Sequence, residues 1–442
     1  MMTWRPLLCL CLAVSTVVGA AGCARDHTPA GSPSASPTAS ATASAPSASV
    51  TPSPSPSVSG PGNEASSSPS ESASSPPADP VRRELQRMTL KEKVGQMILA
   101  GIDGTELDAQ AKRMIGEDKI GGVILYGNNI SDLKGMVSLV NSIKRENAPN
   151  PAPIFVSVDQ EGGRVSRLPR EYVKMPANAT VGRTGSAELA GMMGRLLARE
   201  LLSAGFNMDF APVLDVNSNP DNPVIGDRSF GSSASLVTKL GLAEMKGLRE
   251  GGVIPVVKHF PGHGDTSVDS HLELPVVDKT PAQLAKLEWV PFQAAVKNDV
   301  EAVMVAHIWF PKIDPDKPGS LSEEIVGKLL RGDLGYKGVV ITDDLGMGAI
   351  AKHYTLAEAA LDAIRAGADI LLVGHGYDNE RTIYQAVLQS VKNGSIAESR
   401  IDESVYRILE LKSRYKLHDR EVKVPDLADL NADIRSWLKQ VG

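Results

Sequence analysis

Ser233-Ala-Ser-Leu-Val-Thr-Lys-Leu-Gly-Leu-Ala-Glu-Met-Lys-Gly-Leu-Arg-Glu250, then two glycines, then Val253-Ile-Pro-Val-Val-Lys258: this stretch decides the fold. Its first part is a long amphipathic run with helical spacing. Its second part is short, apolar and β-branched, the pattern of a strand buried on both faces. The same alternation recurs along the chain. Strands are expected at residues 96–100, 121–126, 154–158, 208–214, 254–258, 302–306, 338–342 and 369–373. Helices are expected at 132–146, 186–204, 233–250, 281–297, 322–331, 355–366 and 379–392, with a weaker one near 107–114 and a last one at 398–411. Strand then helix, eight times over, predicts a closed (β/α)8 barrel of the TIM type as a single α/β domain. An open doubly wound sheet is the alternative, but no Gly-x-Gly-x-x-Gly opens a helix after the first strand.

The barrel reading sorts the polar residues. Asp159 and Glu161 end strand three, Asp215 strand four, Lys258 and His259 strand five, His307 strand six, Asp343 and Asp344 strand seven, and His375 strand eight. In this architecture these ends converge on one rim, the face that carries active sites. A single Asp at a strand end often only caps the next helix, but ionisable groups on six strand ends point to a functional rim. Strand five runs into Lys258-His-Phe-Pro-Gly-His-Gly-Asp-Thr-Ser-Val-Asp-Ser-His271, a Gly/Pro loop holding three of the chain's eight His.

Three chemistries fit these residues. In the first, a carboxylate attacks an anomeric carbon and a second group protonates the leaving oxygen. Asp343, held at the end of an apolar strand, can be the first. His271 can be the second, with Asp269 fixing its tautomer as the Asp of a Ser-His-Asp triad does. The second is a metal hydrolase ligated by His259, His263, Asp265 and His271. Lys258 beside them and the absence of helical i, i+4 spacing argue against it, so neither metal nor cofactor is expected. The third is a non-catalytic glycan-binding surface protein, which would not require the Asp-Ser-His arrangement.

The rest of the chain sets the context. Residues 1–22 carry a basic start, an apolar stretch and small residues, which describe a secretory signal. Ala21-Gly22-Cys23 resembles a bacterial lipobox, with Ala20 where Leu or Val is commoner. The three Cys are Cys9, Cys11 and Cys23, so a mature chain starting at Cys23 has one thiol and no intrachain disulfide. Lipidation of Cys23, and anchoring to the outer face of the cell membrane, are the expectation. Residues 23–79 are mostly Ser, Pro, Ala and Thr and read as a disordered tether, with an average span of about 40 Å or more. The barrel is assigned to residues 80–420 and a C-terminal tail to 421–442. A formal net charge of −6 and no basic patch interleaved with aromatics exclude a nucleic-acid surface. Aromatics make up only 4% of the chain, too few for a large sugar-stacking platform.

The loop 258–271 resembles the signature of family 3 glycoside hydrolases, in the bacterial β-N-acetylhexosaminidase branch. The resemblance extends, in order, to Val158-Asp-Gln-Glu-Gly-Gly-Arg-Val-Ser-Arg167, Ile225-Gly-Asp-Arg-Ser-Phe-Gly231, Gly319-Ser-Leu-Ser322 and Ile341-Thr-Asp-Asp-Leu-Gly-Met347. It implies Asp343 as nucleophile, His271 as acid/base and Asp269 as its partner, with Asp344 a neighbour used in capping. It implies Asp159, Arg167, Arg228, Lys258 and His259 as the residues that hold a terminal N-acetylglucosamine. Glu161 and Arg164 then support them from behind, His263 and Asp265 shape the loop, and Lys258 has an alternative use as a structural partner of Asp159. The β-glucosidase branch usually takes its acid/base Glu from a later domain. Only residues 344–442 follow Asp343, so the hexosaminidase branch is the expectation. The implied activity is exo-acting, retaining β-N-acetylglucosaminidase action on cell-wall fragments by a monomer, with β-glucosidase or chitin-oligosaccharide hydrolysis as alternatives.

Overall fold

Each strand of residues 79–442, the part of the chain that the computed structural model describes, pairs in parallel with its neighbours. The strands are β1 Ile98–Gly101, β2 Gly122–Leu125, β3 Phe155–Val158, β4 Met208–Asp209, β5 Ile254–Phe260, β6 Ala302–Val305, β7 Val339–Thr342 and β8 Leu371–Val373. Their order, β7-β6-β5-β4-β3-β2-β1-β8, closes on itself through an Ile341–Ile370 bridge and the Thr342 N–H, which donates to the Ile370 carbonyl at 3.0 Å. This is the expected (β/α)8 barrel. Parallel strands with helices outside are buried on both faces, which is why they read as unbroken apolar runs. The signal segment, Cys23 and the tether up to residue 78 lie outside the described residues.

Three elements differ from expectation, each for a local reason. The fourth strand is regular only over Met208–Asp209, because Pro212 has no N–H to give a ladder. Its chain nonetheless runs on beside β5, where the Ala211 and Pro212 carbonyls accept from the Val256 and Lys258 N–H groups at 3.1 and 3.2 Å. The helix expected at 281–297 splits into Pro281–Leu284 and Trp289–Lys297. Pro291 is tolerated in the first turn of the second piece but not inside a continuous helix. The helix expected at 322–331 is a wider π-type helix, Glu323–Asp333, started by Ser322, whose hydroxyl accepts from the Ile325 N–H at 3.1 Å.

The helices Ala187–Ala204 and Ala234–Gly251 pack unusually closely. A Cβ on Gly194 would lie 2.2 Å from the Glu244 carbonyl oxygen, and one on Gly247 2.2 Å from that of Gly191. Residues 421–442 contain a further helix, Ala428–Val441, with Ile434 and Trp437 buried. Trp437 donates its indole N–H to the Leu189 carbonyl at 3.1 Å, and Asn431 bonds the Glu171 carbonyl and the Val173 N–H at 2.9 and 2.8 Å. Among the described residues no helix is long and apolar enough to cross a membrane.

Candidate active site

The residues singled out at the strand ends meet at the C-terminal mouth of the barrel. Asp159, Arg167, Arg228, Lys258, His259, His271 and Asp343 line one cavity of about 200 Å³. A regular strand would send Lys258 and His259 to opposite faces. The register of β5 against β6 shifts between Val257 and Phe260, and both side chains reach the cavity.

Arg167 returns to Asp159 because the segment between them doubles back. Gly162 and Gly163 adopt φ of 86° and 56°, and Gly162 bridges to Val165. A Cβ on Gly162 would lie 2.4 Å from the Pro176 carbonyl oxygen, so both the turn and its packing demand glycine. Gln160 locks the turn from behind. Its N–H donates to Asp209 Oδ1 at 2.9 Å, and its side-chain oxygen accepts from the Arg167 N–H at 2.8 Å.

Two cations and two carboxylates then assemble. Lys258 Nζ lies 2.5 Å from Asp159 Oδ1 and 2.7 Å from Glu161 Oε1. Glu161 also takes Arg228 in bidentate fashion, at 2.8 and 2.7 Å. Burial alone would raise the Glu161 carboxyl, but Arg228 and Lys258 outweigh it and hold the group far below the usual carboxylate range. Burial likewise pushes Lys258 down, and Asp159 and Glu161 more than restore it, leaving its ammonium charged. Lys258 therefore lines the cavity while already neutralised, and Glu161, read as a support, is the hub between both cations. Asp159 and Arg167 retain free capacity. Asp159 keeps 17% of its side chain exposed, and Arg167 Nε is buried without a partner.

The His residues divide by partner. Asp215, fully buried, accepts from the ring Nδ1 of His259 at 2.6 Å and from the His263 N–H at 2.6 Å. That contact orients His259, whose Nε2 lies 3.4 Å from Arg228 Nη2. His263 contacts Thr266 Oγ1 and Ser270 Oγ at 2.8 and 3.2 Å, and burial with the neighbouring His259 lowers it to about 4. Asp265 pairs with Lys279 at 2.9 Å. His259, His263 and Asp265 are thus engaged elsewhere, and the Nδ1 of His271 is taken by Asp269. Among the described residues no three His, Cys, Asp or Glu side chains are placed to hold a metal. His307 contacts Ser320 Oγ at 2.6 Å and the Asp344 carbonyl at 3.0 Å, which makes it a support for the rim.

Asp343 and His271 face the cavity from opposite regimes. Asp343 follows β7, and its Oδ1 accepts from the Asp344 N–H at 2.9 Å. Burial raises its carboxyl, but His307, His259 and that N–H hold it below the ordinary value, so it is ionised at neutral pH. Asp344 turns to the loop backbone, accepting from Gly346 and Gly374 at 2.9 and 3.0 Å. His271 is 66% exposed, and its Nδ1 lies 2.8 Å from Asp269 Oδ1. Asp269 is pushed up by burial and down, more strongly, by the backbone and ring N–H groups of His271. A rigid ionised carboxylate and an open, carboxylate-bound imidazole on one cavity can carry out nucleophilic attack and proton transfer.

Sequence reasoning gave no role to Tyr126, at the end of β2. Its ring stacks on His375 with centroids 4.8 Å apart, and both line the cavity. Position at a strand end was the available signal, but an aromatic there also reads as core.

Comparison with known proteins places the barrel in a family. The model of the glycosyl hydrolase family 3 N-terminal domain matches residues 89–411. Beta-hexosaminidase A of Pseudoalteromonas piscicida is 35% identical over 334 residues, covering 70% of this chain and 56% of that protein. This chain thus spans little more than half the length of that relative. A beta-hexosaminidase of Alkalilimnicola ehrlichii is 36% identical, covering 62% of this chain and 80% of its own. The solved structure of a glycoside hydrolase family 3 beta-N-acetylglucosaminidase from Paenibacillus sp. superposes with a TM-score of 0.75 at 41% identity, over 80% of this chain and 69% of that one.

Proposed function

The chain belongs to glycosyl hydrolase family 3, and on that premise we propose that it is an exo-acting, retaining β-N-acetylglucosaminidase. The observation that carries the reading is one cavity lined by both Asp343 and His271, with Asp159 and Arg167 holding unspent hydrogen-bonding capacity beside them. The cavity's small volume suits one terminal sugar better than a length of glycan. Asp159 accepts from sugar hydroxyls, and Arg167 donates to a hydroxyl or to the acetamido oxygen.

In the first step a carboxylate oxygen of Asp343 bonds to the anomeric carbon as the glycosidic C–O bond breaks. The proton of the His271 imidazolium goes to the departing oxygen. In the second, His271 takes a proton from water, the water oxygen bonds to the anomeric carbon, and Asp343 leaves. Asp269 holds the ring through its contact with Nδ1. The substrates are cell-wall muropeptides or related glycans ending in β-N-acetylglucosamine. An exported chain lipidated at Cys23 would meet them outside the membrane.

Hydrolysis of matched aryl β-N-acetylglucosaminide and β-glucoside tests the sugar, and equal rates on both overturn the branch assignment. Trapping with a 2-fluoro sugar and peptide mapping tests the mechanism, and label on any residue other than Asp343 overturns it. Rates with and without phosphate identify the acceptor as water or phosphate. Metabolic labelling with a fatty acid, lost in Cys23→Ser, tests the anchor.

A further inference from the structure

His271 sits on a loop with little side-chain burial to hold it. Val268, Leu272 and Val276 are 39%, 65% and 50% exposed, and His271 itself projects into the cavity mouth. Besides the contact of Ser270 Oγ with His263 at 3.2 Å, what fixes the backbone at this point comes from the segment that follows Asp343. The Gly348 N–H donates to the His271 carbonyl at 3.2 Å, and the Ala349 N–H donates to the Ser270 carbonyl at 3.2 Å. Both donors open the short helix Gly348–Ala351, where first-turn N–H groups have no acceptor within the helix. Lys352, just past that helix, pairs with Glu273. The seam is too narrow for any side chain at 348. A Cβ there would lie 2.7 Å from both the His271 and Leu272 carbonyl oxygens, backbone atoms that move only if the loop moves.

We infer that Gly348 is a positioning residue, which couples the Asp343 loop to the His271 loop and sets where the imidazole stands relative to the carboxylate. The inference rests on the acid/base reading of His271. A methyl group at 348 pushes the His271 backbone outward while leaving Asp343, which is held by β7, in place. A misplacement on the 1 Å scale costs about 10²-fold in a proton transfer that depends on geometry.

The test uses kcat/KM, which reports glycosylation, for two substrates: phenyl and 2,4-dinitrophenyl β-N-acetylglucosaminide. The phenyl leaving group needs a proton and the dinitrophenyl group does not. His271→Ala should lose about 10²-fold or more on the first and little on the second. Gly348→Ala should show the same selective loss, about 10- to 100-fold, with an unchanged far-UV spectrum. An ester in place of the peptide between Gly348 and Ala349 deletes the Ala349 N–H without adding bulk, and decides the matter should Gly348→Ala not fold. If His271→Ala shows no dependence on leaving group, the acid/base reading fails. If His271→Ala shows it but the seam variants lose equally on both substrates, or lose nothing, the role of Gly348 is overturned.

Discussion

Two buried ion-pair assemblies stand at opposite ends of the barrel, and they differ in what they leave undone. At the N-terminal end, Asp369 is fully buried. Its Oδ1 accepts from Ser404 Oγ and Arg407 Nη1 at 2.7 and 2.9 Å, and its Oδ2 from Arg331 Nη2 and the Val340 N–H at 2.5 and 2.9 Å. Nothing remains to be satisfied. At the C-terminal rim, Lys258 and Arg228 are also largely buried, yet Asp159 keeps an exposed edge and Arg167 Nε has no partner. Buried charge therefore does not mark the candidate site. Hydrogen-bonding capacity left open toward a cavity does, because an unsatisfied buried donor is costly unless something arrives to accept from it.

This contrast predicts that rim variants lose activity and base variants lose stability. The largest effect is expected for Asp343→Ala: kcat should fall by more than about 10⁴-fold with little change in melting temperature. A variant retaining a tenth of the activity would remove Asp343 from the mechanism. Asp369→Ala should do the reverse, destabilising by about 3–5 kcal/mol in urea unfolding because Arg331 and Arg407 lose their carboxylate, with kcat/KM preserved in the folded fraction. Loss of activity without loss of stability there would break the comparison.

His263 sharpens it, being at the rim but fully partnered. Its folded pKa of about 4 lies below the unfolded value, so the unfolded chain binds the extra proton. The contribution is fully present above about pH 6.5, is lost as pH falls from there toward about 4, and amounts to at most about 3 kcal/mol. His263→Gln should flatten that segment of the stability curve, and an unaltered slope would show that this buried imidazole does not titrate as read. The smallest effect is expected for Arg167→Ala. It should cost about 10- to 100-fold in kcat/KM, chiefly through KM, with stability unchanged or slightly raised, since it deletes an orphaned donor. A drop in melting temperature instead would class Arg167 with the base.

The sequence was most legible where its signal is local. Strand and helix periodicity placed all eight strands, and the end of each strand told which polar residues share the rim. Asp343 and Asp159 were legible as strand ends, His271 and Asp269 in the Gly/Pro loop after strand five, and Arg167 only through a motif that resembles a family. The breaks came where one residue overrode a pattern, as Pro212 does in the fourth strand and Pro291 in the helix expected at 281–297. Glu161 was undervalued and Tyr126 passed over, because a residue's rank at the site depends on partners contributed by other strands.

Sequence by itself determined the barrel, its rim and the identities of the groups brought there, since alternating periods and strand ends are properties of contiguous residues. Only the tertiary structure decided which charges are already neutralised, which donors stay open, and that the turn after Asp343 touches the backbone of His271 at Gly348. Those outcomes turn on distances of a few tenths of an ångström between chain segments far apart in sequence, and no spacing within a segment encodes them.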